Sequence, residues 1–202
     1  MSWPVRLGTT LPDGGVLGMR EMRRGDKREF LAVRRANQDW LGPWDPTNPD
    51  GPPLTLPFET LLRQQRREIR AGTLRSWLVT VDGEIAGQLN LMSIERRAFR
   101  SCVAGYWVAQ HVAGRGVAPH ALALAGDFAL GELGLHRLAV FIRPENAASL
   151  AVVRKLGLRE EGVLVRYLHI AGAWRDHRAF AVTQEELEPE GLLGRLAGHQ
   201  FG

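Results

Sequence analysis

Two stretches hold residue types at spacings that could do chemistry. The first is Gly105-Tyr106-Trp107-Val108-Ala109-Gln110-His111-Val112-Ala113-Gly114-Arg115-Gly116-Val117-Ala118. Gly114 and Gly116 keep side chains out of a turn, so consecutive backbone N–H groups and the positive end of a following helix can face an anion such as a pyrophosphate. An ordinary tight turn accounts for the same spacing. No lysine followed by Ser or Thr comes after the glycines, which excludes a P-loop, and no third glycine completes a dinucleotide fingerprint. The second stretch is Asn146 with Ser149, three residues apart at a helix entrance. These are either a capping pair or two polar groups aimed into a site. The six histidines and the single cysteine, Cys102, have no metal-ligand spacing, so no metal is expected.

The chain that must position these residues has 202 of them, 45% hydrophobic and 24% charged. That is the balance of a soluble globular protein able to bury one core without disulfides or metals. One cysteine excludes a disulfide scaffold and fits a reducing cytoplasm. Apolar runs such as Leu138 to Ile142 fall far short of the ~20 residues of a membrane span, and Met1 to Gly8 lacks the apolar core of an export signal. A soluble, cytoplasmic protein is expected. The net charge of +4 suggests an anionic partner, yet every basic residue except Lys27 and Lys155 is an arginine, and a coding bias toward arginine explains much of the excess.

Hydrophobic periodicity predicts a first strand over Val16 to Met22 and an amphipathic helix from Gly25-Asp26 to Asn37. A proline-rich loop follows from Asn37 to Pro57, of a length usual for binding segments or mobile connections. Phe58, Leu61, Leu62, Gln65 and Ile69 recur at helical spacing opposite Arg63, Arg66, Arg67 and Arg70, which read as a solvated stripe or an anion site. Trp77 to Val81 and Ile85 to Leu91 alternate about Asp82-Gly83, a hairpin signal. A strand from Cys102 to Val108, the glycine loop, a helix ending near Gly134, a strand over Arg137 to Arg143 and a helix from Asn146 to Gly157 argue for a parallel crossover within an antiparallel sheet. Strands Val163 to Ile170 and Trp174 to Val182 bring the count to about seven, with about four helices. The expected organisation is a single α/β (α+β) domain over residues 1–185 and a tail over 186–202, its last dozen residues disordered.

Taken together and in order, Tyr106-Trp107-Val108, Gly114 to Ala118, Arg143 to Ser149, Lys155 to Leu158, Glu161-Gly162, Arg166 and Trp174 to Asp176 resemble the GNAT N-acetyltransferases. Within them the chain is most similar to the RimJ/RimL-like ribosomal-protein alanine N-acetyltransferases. The resemblance implies a sheet with a splayed central parallel pair, acetyl-CoA as co-substrate, and transfer to a primary amine by direct attack on the thioester. It places His111 at the family's Gln/Arg position and the cofactor pyrophosphate on Gly114, Arg115, Gly116, Val117 and Ala118. The backbone of Trp107, Val108 and Ala109 would hold pantetheine and the thioester carbonyl, an oxyanion device. Asn146 and Ser149 would face the thioester end. Val153 stands where many relatives have a proton-donating tyrosine, which leaves Ser149 to assist the thiolate. For the base the candidates are Asp176, His177, Glu95 or a water chain.

The acceptor is placed between the Asn37–Pro57 segment, with its acidic and aromatic Asp39, Trp40, Trp44, Asp45 and Asp50, the Glu95 region and the turn at Gly172. A protein N-terminus, a polyamine-like molecule, an antibiotic or a metabolite would satisfy such a site, and a monomer or homodimer would serve. A non-catalytic CoA-binding module and a ribosome- or RNA-binding protein are the competing classes, the latter lacking stacking aromatics.

Overall fold

A computed structural model of the protein describes residues 5–51 and 56–198. Its eight strands lie in one sheet, ordered β1 (Leu7–Thr10), β2 (Val16–Arg20), β3 (Arg75–Val81), β4 (Glu84–Glu95), β5 (Ser101–Val108), β6 (Arg137–Ile142), β8 (Ala173–Thr183) and β7 (Arg159–Ile170). All neighbours are antiparallel except β5 and β6. Asp82 and Gly83 have φ of 52° and 90°, the left-handed pair that a two-residue hairpin needs.

Alternation divides the apolar residues between two faces. Trp77, Val79, Leu89 and Leu91 join one core with α4 (Val117–Asp127), α5 (Ala147–Lys155) and α6 (Gly191–Gly198). Leu78, Ile85 and Trp107 meet Phe30 of α1 (Lys27–Ala36) and Phe58 and Leu62 of α3 (Phe58–Ala71) in the other. α4 is buried nearly all round, Ala121, Leu122, Ala123 and Ala125 being almost inaccessible, because it lies between the sheet and α6. Burying a leucine such as Leu122 contributes roughly 1.5–3 kcal/mol. The α4 chain continues as a π-helical turn, Phe128–Glu132, whose Phe128 packs edge-on against Trp77 at 5.5 Å.

Three elements exceed the sequence expectation of seven strands and four helices. β1 is a half-exposed edge strand paired with β2. The short α2 (Gln38–Leu41) opens the proline-rich segment, of which residues 52–55, with Pro52 and Pro53, lie outside the described residues. α6 corrects the expected disorder over the last dozen residues as far as 198. Leu192 and Leu196 are buried in the core, and both Asp127 oxygens accept the N–H groups of Leu192 and Leu193, at 2.6 and 3.1 Å.

For the site, the decisive feature is how briefly β5 and β6 pair. They align only over Ser101–Val103 with Arg137–Ala139. Beyond, β5 stays on β4 as far as Val108 and β6 stays on β8 as far as Ile142, so the sheet opens between them. Gly87 lets β4 hold β5 tightly at this end, since a Cβ there would lie 2.4 Å from the Trp107 carbonyl oxygen.

Candidate active site

Residues of an antiparallel pair alternate between bonding the partner strand and facing away from it. Ala109 N–H donates to Ala86 O at 2.7 Å, which fixes the phase and turns the peptide groups of Tyr106 and Val108 toward the opening. The Val108 carbonyl accepts the indole N–H of Trp40 across it, at 3.1 Å. The expected backbone roles divide accordingly. Val108 faces the opening, Trp107 is turned to Gln88 of β4, and Ala109 is engaged at both ends, its oxygen accepting Val112 N–H at 3.2 Å. The Trp107 side chain lies on the other face, edge-on to Phe30 and under the Arg34 guanidinium.

The glycine loop leads from β5 into α4. Gly114 and Gly116 have φ of 84° and 85°, a conformation that side chains resist, and Gly116 is the N-cap. Glycine offers no capping side chain, so the first N–H groups of α4, those of Val117 and Ala118, point outward. Pro119 contributes none. His120 Nδ1 lies 2.7 Å from Gly116 O and, carrying the proton, braces the turn. Buried Asn37 fixes the loop's start, accepting Gln110 N–H at 2.7 Å and donating to Val33 O at 2.8 Å. The Arg115 side chain is drawn toward Asp13, Nε to Oδ2 2.6 Å. His111 is exposed at the mouth.

At the other wall, Asn146 Oδ1 accepts Ser149 N–H at 3.0 Å, so the capping role is filled. The Ser149 hydroxyl lies beside the phenol of Tyr106. Burial pushes that phenol up to about 12, and the serine partly offsets the effect. Sequence reasoning did not single out Tyr106. The signal available was its position in β5, one residue from Trp107 and hence on the α4 and α5 face.

Asp176 is exposed and holds the irregularity in β7, accepting Arg166 N–H at 2.8 Å where Arg166 has φ of 52°. His177 is buried against Tyr167, which packs on Phe141, and its Nδ1 meets Arg175 O at 3.1 Å. Burial lowers its pKa below the usual 6.5, with Arg143 pulling the same way and Glu145 and Asp176 opposing, so the ring is neutral near pH 7. Glu95 is removed from the site. It pairs with Ser101, about 20 Å along the strands from Val108.

The proline-rich segment is a strap over the open end. Beyond Trp40, Arg143 Nη1 donates to Pro43 O at 2.8 Å and the same guanidinium covers Trp44. Pro46 bridges Ile170, and Thr47 N–H donates to His169 O at 2.8 Å. Asp45 is paired with Arg34, leaving Asp39 and Asp50 exposed. No group of metal-ligating side chains occurs among the described residues, and no described helix is long and apolar enough to cross a membrane.

The chain is 36% identical to Mycobacterium smegmatis RimJ, solved in complex with CoA-disulfide, with a TM-score of 0.90 over 98% of this chain and 96% of that one. It is 28% identical over 155 residues to the [Ribosomal protein uS5]-alanine N-acetyltransferase of Escherichia coli K12, covering 76% of this chain and 80% of that protein. To the Bacillus subtilis protein named Probable N-acetyltransferase YjcK it is 32% identical over 107 residues, 53% of this chain but only 59% of that one. The profile described as Acetyltransferase (GNAT) domain matches residues 17–159, from β2 through both walls of the opening to the start of β7. The chain therefore belongs to the GNAT acetyltransferase family and is an acyltransferase.

Proposed function

We propose that the protein moves the acetyl group of acetyl-CoA to a primary amine, and that the amine is the N-terminus of a ribosomal protein beginning with alanine or serine. The observation that carries the reading is the opening between β5 and β6 with the uncapped N-terminus of α4 at its mouth. Outward N–H groups and the positive helix end suit a pyrophosphate. The Gly114 to Ala118 backbone, with exposed His111 beside it, would hold that group, and the Val108 peptide would pair with an extended amide chain lying in the gap. The similarity to RimJ and to the uS5-alanine enzyme supports both the donor and the acceptor.

The bound co-substrate supplies an acetyl group on a thioester. The chain's own residues do the rest. The Val108 N–H, turned into the gap, is available to an oxyanion, and Ser149 donates a proton to sulfur as the C–S bond breaks. His177, neutral near pH 7 and flanked by Arg143 at the end of β6, suits removal of the amine proton better than Asp176, whose carboxylate is occupied by Arg166 N–H. The strap and β7 would form the acceptor side. We place the protein in the cytoplasm and read residues 1–185 as the catalytic domain, with α6 packed onto it.

The test is incubation with acetyl-CoA and peptides beginning with Ala or Ser, alongside a polyamine, read by mass shift. Acetylation of the peptide N-terminus is expected; acetylation of the polyamine alone would reject the acceptor. A folded Gly116→Val variant should lose CoA affinity, and unchanged affinity would reject the pyrophosphate site. With His177 as base, the rate should fall as pH drops through a value below 6.5, and His177→Gln should abolish that limb.

A further inference from the structure

Among the described residues only two buried side-chain polar atoms, Tyr106 OH and Asn90 Oδ1, lack a hydrogen-bond partner. A buried phenol nearly always finds one, because an orphaned hydroxyl costs about 1–3 kcal/mol. Phenylalanine would fill the same space without that cost. Tyr106 therefore holds an oxygen that the free protein does not use, and its place is specific. Its strand is one wall of the opening, its peptide is turned into the gap, and its ring packs on the core that includes Leu150 and Val153 of α5. The Ser149 hydroxyl is close enough to offset part of the effect of burial on the phenol, yet the phenol oxygen has no hydrogen-bond partner.

We propose that Tyr106 is a positioning residue for Ser149: with a thioester in the opening, the phenol O–H donates to Ser149 Oγ and so aims the serine proton at the sulfur. The inference rests on the acetyl-transfer reading above. As the C–N bond forms and the C–S bond breaks, the leaving sulfur's electron pair takes the Ser149 proton. The attacking nitrogen releases its own proton through His177 to solvent, and water returns one to Ser149. The phenol keeps its proton throughout and stabilises the charge that Ser149 Oγ carries in between. A pKa near 12 fits a donor that never ionises, since a phenolate would be buried without a counter-charge. Val153 of α5, in the core on which the Tyr106 ring packs, has no proton to hold or give.

The decisive variant is Tyr106→Phe, which removes one oxygen. Its melting temperature should equal or exceed that of the wild type, whereas a hydroxyl with a structural role would lower it. Turnover should fall about tenfold, a part of the ~10²–10⁴ that acid–base catalysis supplies, with both KM values within about twofold. In a Ser149→Ala background the same change should have no further effect on kcat. Wild-type turnover in Tyr106→Phe, or losses that multiply in the double variant, would overturn the proposal. A second readout needs no turnover: the wild type should prefer CoA to desulfo-CoA, and Tyr106→Phe should erase the preference. A retained preference overturns the pairing. Absence of acetyl transfer in a wild type that shows the thiol preference would strike the reading of function and leave the pair standing.

Discussion

The indole nitrogen of Trp40 donates to the carbonyl oxygen of Val108, 68 residues away, across the mouth of the opening between β5 and β6. The strap thus occupies the backbone acceptor that an amide chain lying in the gap would use. A ligand supplying its own donor must displace the indole. Trp40→Phe keeps the ring and deletes the donor, which weakens only the free state. One hydrogen bond is worth about 1 kcal/mol, so CoA should bind about fivefold more tightly to the variant. Calorimetric titration checks this; weaker binding would mean that the indole stays on Val108 in the complex.

Farther along the strap, Trp44 lies 5.4 Å from the Arg143 guanidinium, and Arg143 also holds Pro43 O. These contacts join the strap to the end of β6 on the side assigned to the acceptor. Trp44→Ala removes a cation–π contact of about 0.5–1 kcal/mol and should loosen the strap without touching the glycine loop. The KM for the amine should rise severalfold while that for acetyl-CoA stays constant. Steady-state kinetics with both substrates varied distinguishes this from a general loss of fold, which would move both constants.

The parts legible in the sequence are those encoded locally. Asp82-Gly83 marks its own hairpin, Asn146 caps its own helix and Gly157, with φ of 63°, ends it. Gly114 and Gly116 announce a turn whatever surrounds it. The parts not legible depend on distant partners. β1 is four residues long and half exposed, and only its pairing with β2 makes it a strand. Ala109 looked available until its N–H met Ala86, a contact set by register. Tyr106 and Ser149 meet only because β5 and β6 part after Val103, and nothing near either residue in sequence says where the parting comes.

α6 is the clearest case of remote encoding, since its N-terminus is capped by Asp127, 65 residues earlier. Burial raises the Asp127 pKa, opposed by the two N–H groups it accepts. Asp127→Ala should cost about 1 kcal/mol, the usual value of a helix cap. Leu192→Ala, which empties a fully buried site beside α4, should cost about 2–5 kcal/mol. Urea unfolding followed by far-UV circular dichroism measures both. Equal stability of Leu192→Ala and the wild type would mean that α6 is not docked in solution.

Glu161 gives the fold an acid-sensitive contact. Arg137 grips both of its oxygens and Arg159 Nη2 adds a contact at 2.9 Å, which together hold the carboxyl down to about 2 against burial, from an ordinary 4.5. A carboxylate whose pKa is lower folded than unfolded stabilises the fold fully above the unfolded value. That contribution is lost as pH falls through the folded one. The window is therefore from about 4.5 down to about 2. Because the group is partly exposed and screened by solvent, the whole effect is about 0.2–1 kcal/mol. Glu161→Gln should be less stable than the wild type by this amount near neutral pH, and the difference should shrink steadily through that window. Urea titrations at several pH values check it. A difference that does not change with pH would assign the effect to packing at the β7 irregularity rather than to charge.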